Sequence, residues 1–407
     1  MHYAIGMAPT RDHGDDLRGA SQLVIAATAG VTEVVEAMHH TIASGPAVLG
    51  RPLSVPSKLV TGIVYGGIRG VAALVGRGLD ETLARLGPRL GSSQPGPERD
   101  ALLAVLNGVV GDHLHATANP LAIAMQFRHH GVPLELTAEA LRTTFPDAGA
   151  KVVVLIHGSS MGDTQWQRGG HDHGAALARD LGYTPIYLRY NSGRHISTGG
   201  HELAALLERL VDAWPVPLET LVLLGHSMGG LVARSACHAA EADGHRWRTH
   251  LRALVCMGSP HHGAPLERGG NRLHRLFGVS RYSAPLARLG RLRSAGVTDL
   301  RHGNVLDAHW EGVDRFERHD DHRGPAPLPV GVACYAIAGT TAAVLDGRIP
   351  GDGLVPVDSA LGRHQRAELD LGFPTAHQWI STATGHMDLL GKPEVYARLR
   401  DWLTPSE

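Results

Sequence analysis

Leu221-Val-Leu-Leu-Gly-His-Ser-Met-Gly-Gly230 is the stretch on which the fold turns. Leu221–Leu224 is an apolar run that reads as a buried strand, Gly225-His226-Ser227-Met228-Gly229 is a G-x-S-x-G turn, and Leu231–Ala240 contains no helix breaker. A strand that turns sharply on a serine and enters a helix at once needs flanking glycines. They let the strained turn close and let strand and helix approach. A second match, Gly158-Ser159-Ser160-Met161-Gly162, also follows a strand. Asp163-Thr164-Gln165 and Gly169-Gly170 come next there, so no helix starts immediately. Ser227 is therefore the nucleophile candidate.

Outward from the turn, apolar runs alternate with helical stretches. The runs are Val152–Ile156, Pro185–Tyr190, Leu221–Leu224, Leu251–Met257 and Val330–Ile337, with helices starting near His171, Gly200 and Met228. That alternation predicts a mostly parallel sheet covered on both faces. Leu121–Arg128 and Val132–Leu136 bracket His129-His130-Gly131 as a hairpin, Gln378–Thr382 reads as an edge strand, and Pro393–Leu403 as a closing helix. From about 263 to 323 the alternation lapses into a segment rich in arginine, glycine and leucine, an insertion of the length that serves as a lid. Residues 1–115 read as an N-terminal helical region, distinct from a catalytic domain over 116–407. Within it, Gly62, Gly66 and Gly70 recur every four residues, the spacing that lets helices pack closely.

Composition removes several function classes. The 407 residues carry 38 basic and 39 acidic side chains, a net charge of −1, which leaves no footprint for a polyanion and argues against nucleic-acid binding. Three cysteines, Cys237, Cys256 and Cys334, fit neither a disulfide framework nor a metal-ligand spacing. His171-Asp172-His173 and Arg318-His-Asp-Asp-His322 lack a third spaced ligand, so no metal is assigned. The first twenty residues show charges and no apolar h-region, so the expected location is cytoplasmic, with peripheral membrane or granule contact through the N-terminal helices as a further expectation.

The remaining chemistry is assigned by position. Val152–Ile156 runs into His157-Gly158, a turn that can present a backbone N–H, so the oxyanion donors are expected to be the amides of Ser159 and of Met228. In a strand–elbow–helix architecture the chain order is serine, acid, histidine. His386, between the edge strand and the last helix, is the base candidate; His377 falls before that strand. Asp352, in the glycine-flanked Pro350–Pro356 turn, is preferred as the acid over Asp346, Asp358 and Asp388. His157, Arg194 and His195 are candidates for substrate contact.

Taken together, Ile156-His157-Gly158, Gly225–Gly230, Gly258-Ser-Pro-His-His-Gly263, Gly351–Pro356 and Gly385-His386 resemble the lipase branch of the α/β-hydrolase superfamily, in particular bacterial lipases and the GPI inositol-deacylase family. The resemblance covers roughly 118–407. It implies an α/β-hydrolase fold with a lid insertion, a serine carboxylic-ester hydrolase acting on acyl esters or lipids through an acyl-enzyme, and no organic cofactor. It also implies catalytic roles for Ser227, Asp352 and His386 and oxyanion roles for Ser159 and Met228. An acyltransferase on the same triad and a membrane- or granule-surface binding protein are the alternatives.

Overall fold

The computed structural model describes residues 18, 19, 22, 97–264, 294–315, 320–347 and 349–404. Most of the N-terminal region, including the Gly62–Gly70 stripe, and residues 265–293 of the insertion lie outside them. Two units are distinguished. One comprises residues 1–96 and 114–122, where the Asn119 amide donates to the Gly19 carbonyl (3.1 Å). The other, residues 97–113 and 123–407, holds the sheet and every candidate site residue.

Eight strands form one sheet: β1 (Gln126–His129), β2 (Val132–Pro133), β3 (Lys151–Ile156), β4 (Thr184–Arg189), β5 (Thr220–His226), β6 (Leu251–Met257), β7 (Ala333–Gly339) and β8 (Gln378–Ser381). Their spatial order is β2-β1-β4-β3-β5-β6-β7-β8. The β1–β2 hairpin joins antiparallel at one edge and the six strands from β4 to β8 run parallel, so the expected mostly parallel sheet is what forms. β3 explains the unbroken apolar runs. Val152, Val154 and Ile156 enter the core on one face of the sheet, Val153 and Leu155 the core on the other. The first face is covered by α4 (Ile196–Ala213) and α5 (Met228–Asp243), the second by α3 (His173–Leu181) and α8 (Pro393–Leu403).

The hairpin strands are shorter than the sequence suggests, and two further boundaries shift for identifiable physical reasons. β7 starts at Ala333 rather than Val330, because Gly331 turns the chain at φ +75° and leaves Val330 in solvent. α4 starts at Ile196 rather than near Gly200, because the Asp299 carboxylate, distant in sequence, accepts the Ile196 N–H at 2.9 Å and caps the helix. Between β6 and β7 the described part of the insertion holds α6 (Ala295–Asp299) and a short 3-10 turn, Asp307–His309.

A helix numbered α1 (Pro97–Ala116) precedes the sheet, and its first seventeen residues group with the α/β unit. Asp100 receives Arg189 (2.7 Å) and Arg128 (2.9 Å), and Arg128 also reaches Asp163 (2.9 Å). These buried charges tie the helix to the β1–β4 edge. The one remaining helix pair, α2 (Ala138–Thr144) and α7 (Val357–Ala360), is short. Among the described residues no helix is long and apolar enough to cross a membrane.

Candidate active site

Ser227 sits between β5 and α5 at φ +55°, ψ −124°. A non-glycine residue there stores strain of about 1–3 kcal/mol, held in place by what surrounds it. The Ser227 N–H is fixed by the Met257 carbonyl at 2.8 Å. Gly229 permits the close approach on the other side: a Cβ on it would lie 2.1 Å from the Ile156 carbonyl oxygen. The turn is thus pressed against the end of β3, where the chain enters His157–Met161.

His386 follows β8 and Asp352 follows β7, so neighbouring parallel strands deliver them to the same end of the sheet. Nδ1 of His386 donates to Oδ2 of Asp352 at 2.7 Å, and the His386 N–H donates to the Asp352 carbonyl at 3.0 Å. The other carboxylate oxygen accepts the amides of Val355 (2.8 Å) and Leu354 (3.0 Å). Burial pushes the Asp352 pKa up, but the adjacent imidazole and these hydrogen bonds hold it below its ordinary value. Gly258, at φ +58°, makes room for the pair, since a Cβ there would lie 3.3 Å from both Asp352 Oδ2 and His386 Cε1.

The alternatives sit elsewhere. Asp388 accepts the Gly385 N–H within an exposed turn, Asp358 pairs with Arg363 at 3.5 Å in solvent, and Asp346 is exposed. His377 bonds the Cys334 carbonyl at 3.1 Å, next to the opposite end of the sheet.

Beside Ser227 lies the loop carrying Ser159. Ile156 pairs with Gly225, so β3 and β5 end in register and the loop abuts the serine turn. Met228 is the first residue of α5, and its N–H is among those a helix leaves without an internal partner. Ser160 also has positive φ (+58°), but its N–H goes to Ser192 Oγ at 2.9 Å. Helix α1 closes over this second serine: Gly108 is packed so tightly that a Cβ would meet Ser160 Oγ.

The proposed substrate contacts are placed differently. His157 has no exposed surface. It stacks on Tyr190 (4.3 Å, 21°), and its ring nitrogens meet the Gly158 carbonyl (2.8 Å) and the Tyr190 N–H (3.4 Å). Burial brings its pKa down to about 4. It supports the loop from behind. Arg194 pairs with Glu202. His195 donates from Nδ1 to Asp299 (3.0 Å) and stacks flat on Trp310 (3.7 Å, 6°). His195, Asp299 and Trp310, with Asn304, Arg301 and Arg315, line a cavity of about 520 Å³ whose lining includes neither Arg194 nor Ser227, Asp352 or His386. His171 and His173 bond each other, and among the described residues no cluster of three or more metal-ligating side chains occurs.

Sequence reasoning passed over Asp299 and Trp310, because their relation to His195 exists only once the insertion folds back on α4. It also passed over the structural use of His226 and His173, although His226 lies inside the decisive motif.

Residues 147–323 match the family described as PGAP1-like alpha/beta domain. That stretch contains Ser159, Ser227 and Met228 and ends before Asp352 and His386. Among solved structures the chain is similar to the mature lipase of Bacillus licheniformis (16% identity, 63% of this chain and 94% of that one, TM-score 0.42). It is also similar to the Staphylococcus hyicus lipase (12%, 63% and 96%, TM-score 0.37) and to an esterase of Pyrococcus furiosus (14%, 63% and 82%, TM-score 0.36). Among curated proteins no sequence match is found. With a mostly parallel eight-stranded sheet and a serine turn that leads directly into a helix, the chain has an α/β-hydrolase-like architecture, and its residues 147–323 are similar to the PGAP1-like alpha/beta domain.

Proposed function

We propose that the chain is a serine hydrolase of carboxylic esters, lipid esters included, with Ser227 as nucleophile, His386 as general base and Asp352 as its orienting acid. The observation that carries this reading is the buried 2.7 Å contact between His386 and Asp352 at the same sheet end as a serine held at φ +55°. With Nδ1 committed to the carboxylate, Nε2 is the nitrogen left to take the serine proton. The hydroxyl oxygen then bonds the ester carbonyl carbon, and the amides of Ser159 and Met228 are the donors available to the oxyanion. Collapse of that intermediate releases the alcohol, protonated by His386, and leaves an acyl-serine. Water attacks it with His386 again as base, releasing the acid and restoring the serine.

The test is hydrolysis of a nitrophenyl ester series from acetyl to palmitoyl, by the full chain and by Ser227→Ala. Turnover in the parent and loss in the variant is the expected result. Activity that survives in Ser227→Ala, or silence across the whole series, overturns the assignment.

A further inference from the structure

The loop that carries His386 is held at two backbone carbonyls by buried imidazoles from two other elements. From the end of β5, Nε2 of His226 meets the His386 carbonyl at 3.0 Å. From the first turn of α3, Nε2 of His173 meets the Leu389 carbonyl at 2.9 Å. A carbonyl only accepts, so both Nε2 atoms carry the proton. His173 accepts at Nδ1 from Nε2 of His171 (2.9 Å), which fixes its tautomer from the other side. Neither ring has exposed surface, and Trp166 meets both in T-shaped contacts, its ring centroid 6.4 Å from that of His173 and 6.5 Å from that of His226. Burial first, and the neighbouring His386 second, bring the His226 pKa down to about 3, so the ring is neutral wherever the triad works.

His226 is an unusual choice for a core position. Its Nδ1 is buried with no partner, and a Cβ on Gly158 would lie 3.3 Å from it. An unpaired buried acceptor costs about 1–3 kcal/mol, and an apolar residue of similar volume would avoid that. What an apolar residue lacks is the donor to His386. Because His226 immediately precedes Ser227, a single dipeptide carries both the serine and the tether of the histidine loop. The two rings lie 4.7 Å apart.

We propose that His226 is a positioning residue that sets the register of His386 against Ser227, with His173 as a second tether three residues further along the loop. The inference rests on the triad assignment above and adds to it a function for the residue before the nucleophile. His226 transfers no proton. It keeps the base at the distance from which proton transfer is fast, and a displacement of about 1 Å at such a point lowers rates by about 100-fold.

The experiment compares His226→Leu, His226→Gln and His226→Asn in nitrophenyl ester hydrolysis, with Ser227→Ala alongside and phosphonate labelling of the active serine as a second readout. Leucine keeps the volume and removes the donor. Glutamine places an amide N–H near the position of Nε2, and asparagine places it near Nδ1. The expected pattern is a kcat for leucine and asparagine down by about 100-fold with KM within about threefold, and glutamine restored to within about tenfold of the parent. Labelling should slow in the same order. A leucine variant with parental kcat, or glutamine and asparagine equally impaired, overturns the proposal. Should leucine not fold, the glutamine–asparagine difference decides alone. Activity or labelling that persists in Ser227→Ala would instead remove the triad assignment.

Discussion

The two G-x-S-x-G turns are nearly the same object up to the serine, and they diverge after it. Both end a central parallel strand, and both hold a buried serine in the left-handed region, at φ +55° for Ser227 and +58° for Ser160. Both also rest on a fully buried histidine, His226 before one serine and His157 in the approach to the other. What differs is the use of the groups around them. The N–H of each serine is engaged, by the Met257 carbonyl for Ser227 and by Ser192 Oγ for Ser160. But a helix begins directly after Ser227 and leaves the Met228 amide without an internal partner, while after Ser160 the chain runs through Met161 and Gly162 before a 3-10 turn starts. An acid–histidine pair occupies the end of the sheet beside the first serine, whereas helix α1 covers the second. Backbone strain is therefore common to both serines, and what sets Ser227 apart is the helix that starts directly after it and the Asp352–His386 pair at the same end of the sheet.

The largest effect expected from this contrast is catalytic. Ser227→Ala should lower kcat by about 10⁶-fold, as loss of a triad serine does, whereas Ser160→Ala should stay within about tenfold of the parent in the same ester assay. Comparable losses at both positions would erase the distinction between the turns. Next, Asp352→Asn should lower kcat by about 10⁴-fold with a Tm close to the parent, since it removes the group that selects the His386 tautomer and keeps the shape.

A third effect concerns the histidines beneath both turns. Burial brings His157 and His173 down to about 4 and His226 to about 3, all below the ordinary 6.5. The unfolded chain then binds protons that the folded chain refuses. Stability is complete above pH 6.5 and falls as the pH drops toward 4, by up to about 1.4 kcal/mol per pH unit for each such ring. Denaturant midpoints measured between pH 7 and 4.5 should fall steeply, and His157→Gln should flatten the slope; a flat parent curve would contradict neutral burial.

Smaller still, Gly229→Ala should cost about 1–3 kcal/mol in urea unfolding, because its Cβ would meet two backbone carbonyls that cannot step aside. The smallest shift is expected for Ser160→Gly. Relief of the left-handed strain offsets the added chain entropy, to within about 1 kcal/mol.

How much of this could be read from residues alone varies with how local the cause is. The strand, serine turn and helix at Leu221–Ala240 are local: periodicity, flanking glycines and the absence of a breaker settle them within twenty residues. Chain order points to Asp352 and His386 as a pair, and the structure brings the two side chains to 2.7 Å, because a parallel sheet delivers successive strand ends to one rim. His195 shows the opposite case. Its place just after a strand end suggests a substrate contact, but its partners Asp299 and Trp310 come from an insertion about a hundred residues away.

Periodicity and composition thus specify which segments become strands and helices, their parallel arrangement and the serine that tops one of them, since each of these depends on neighbours in the chain. Which buried histidine pins which carbonyl, which group engages each serine amide, and where the insertion caps α4 depend on groups brought together from distant positions. Such contacts have no signature in spacing, because their energy comes from the desolvated geometry of the folded state.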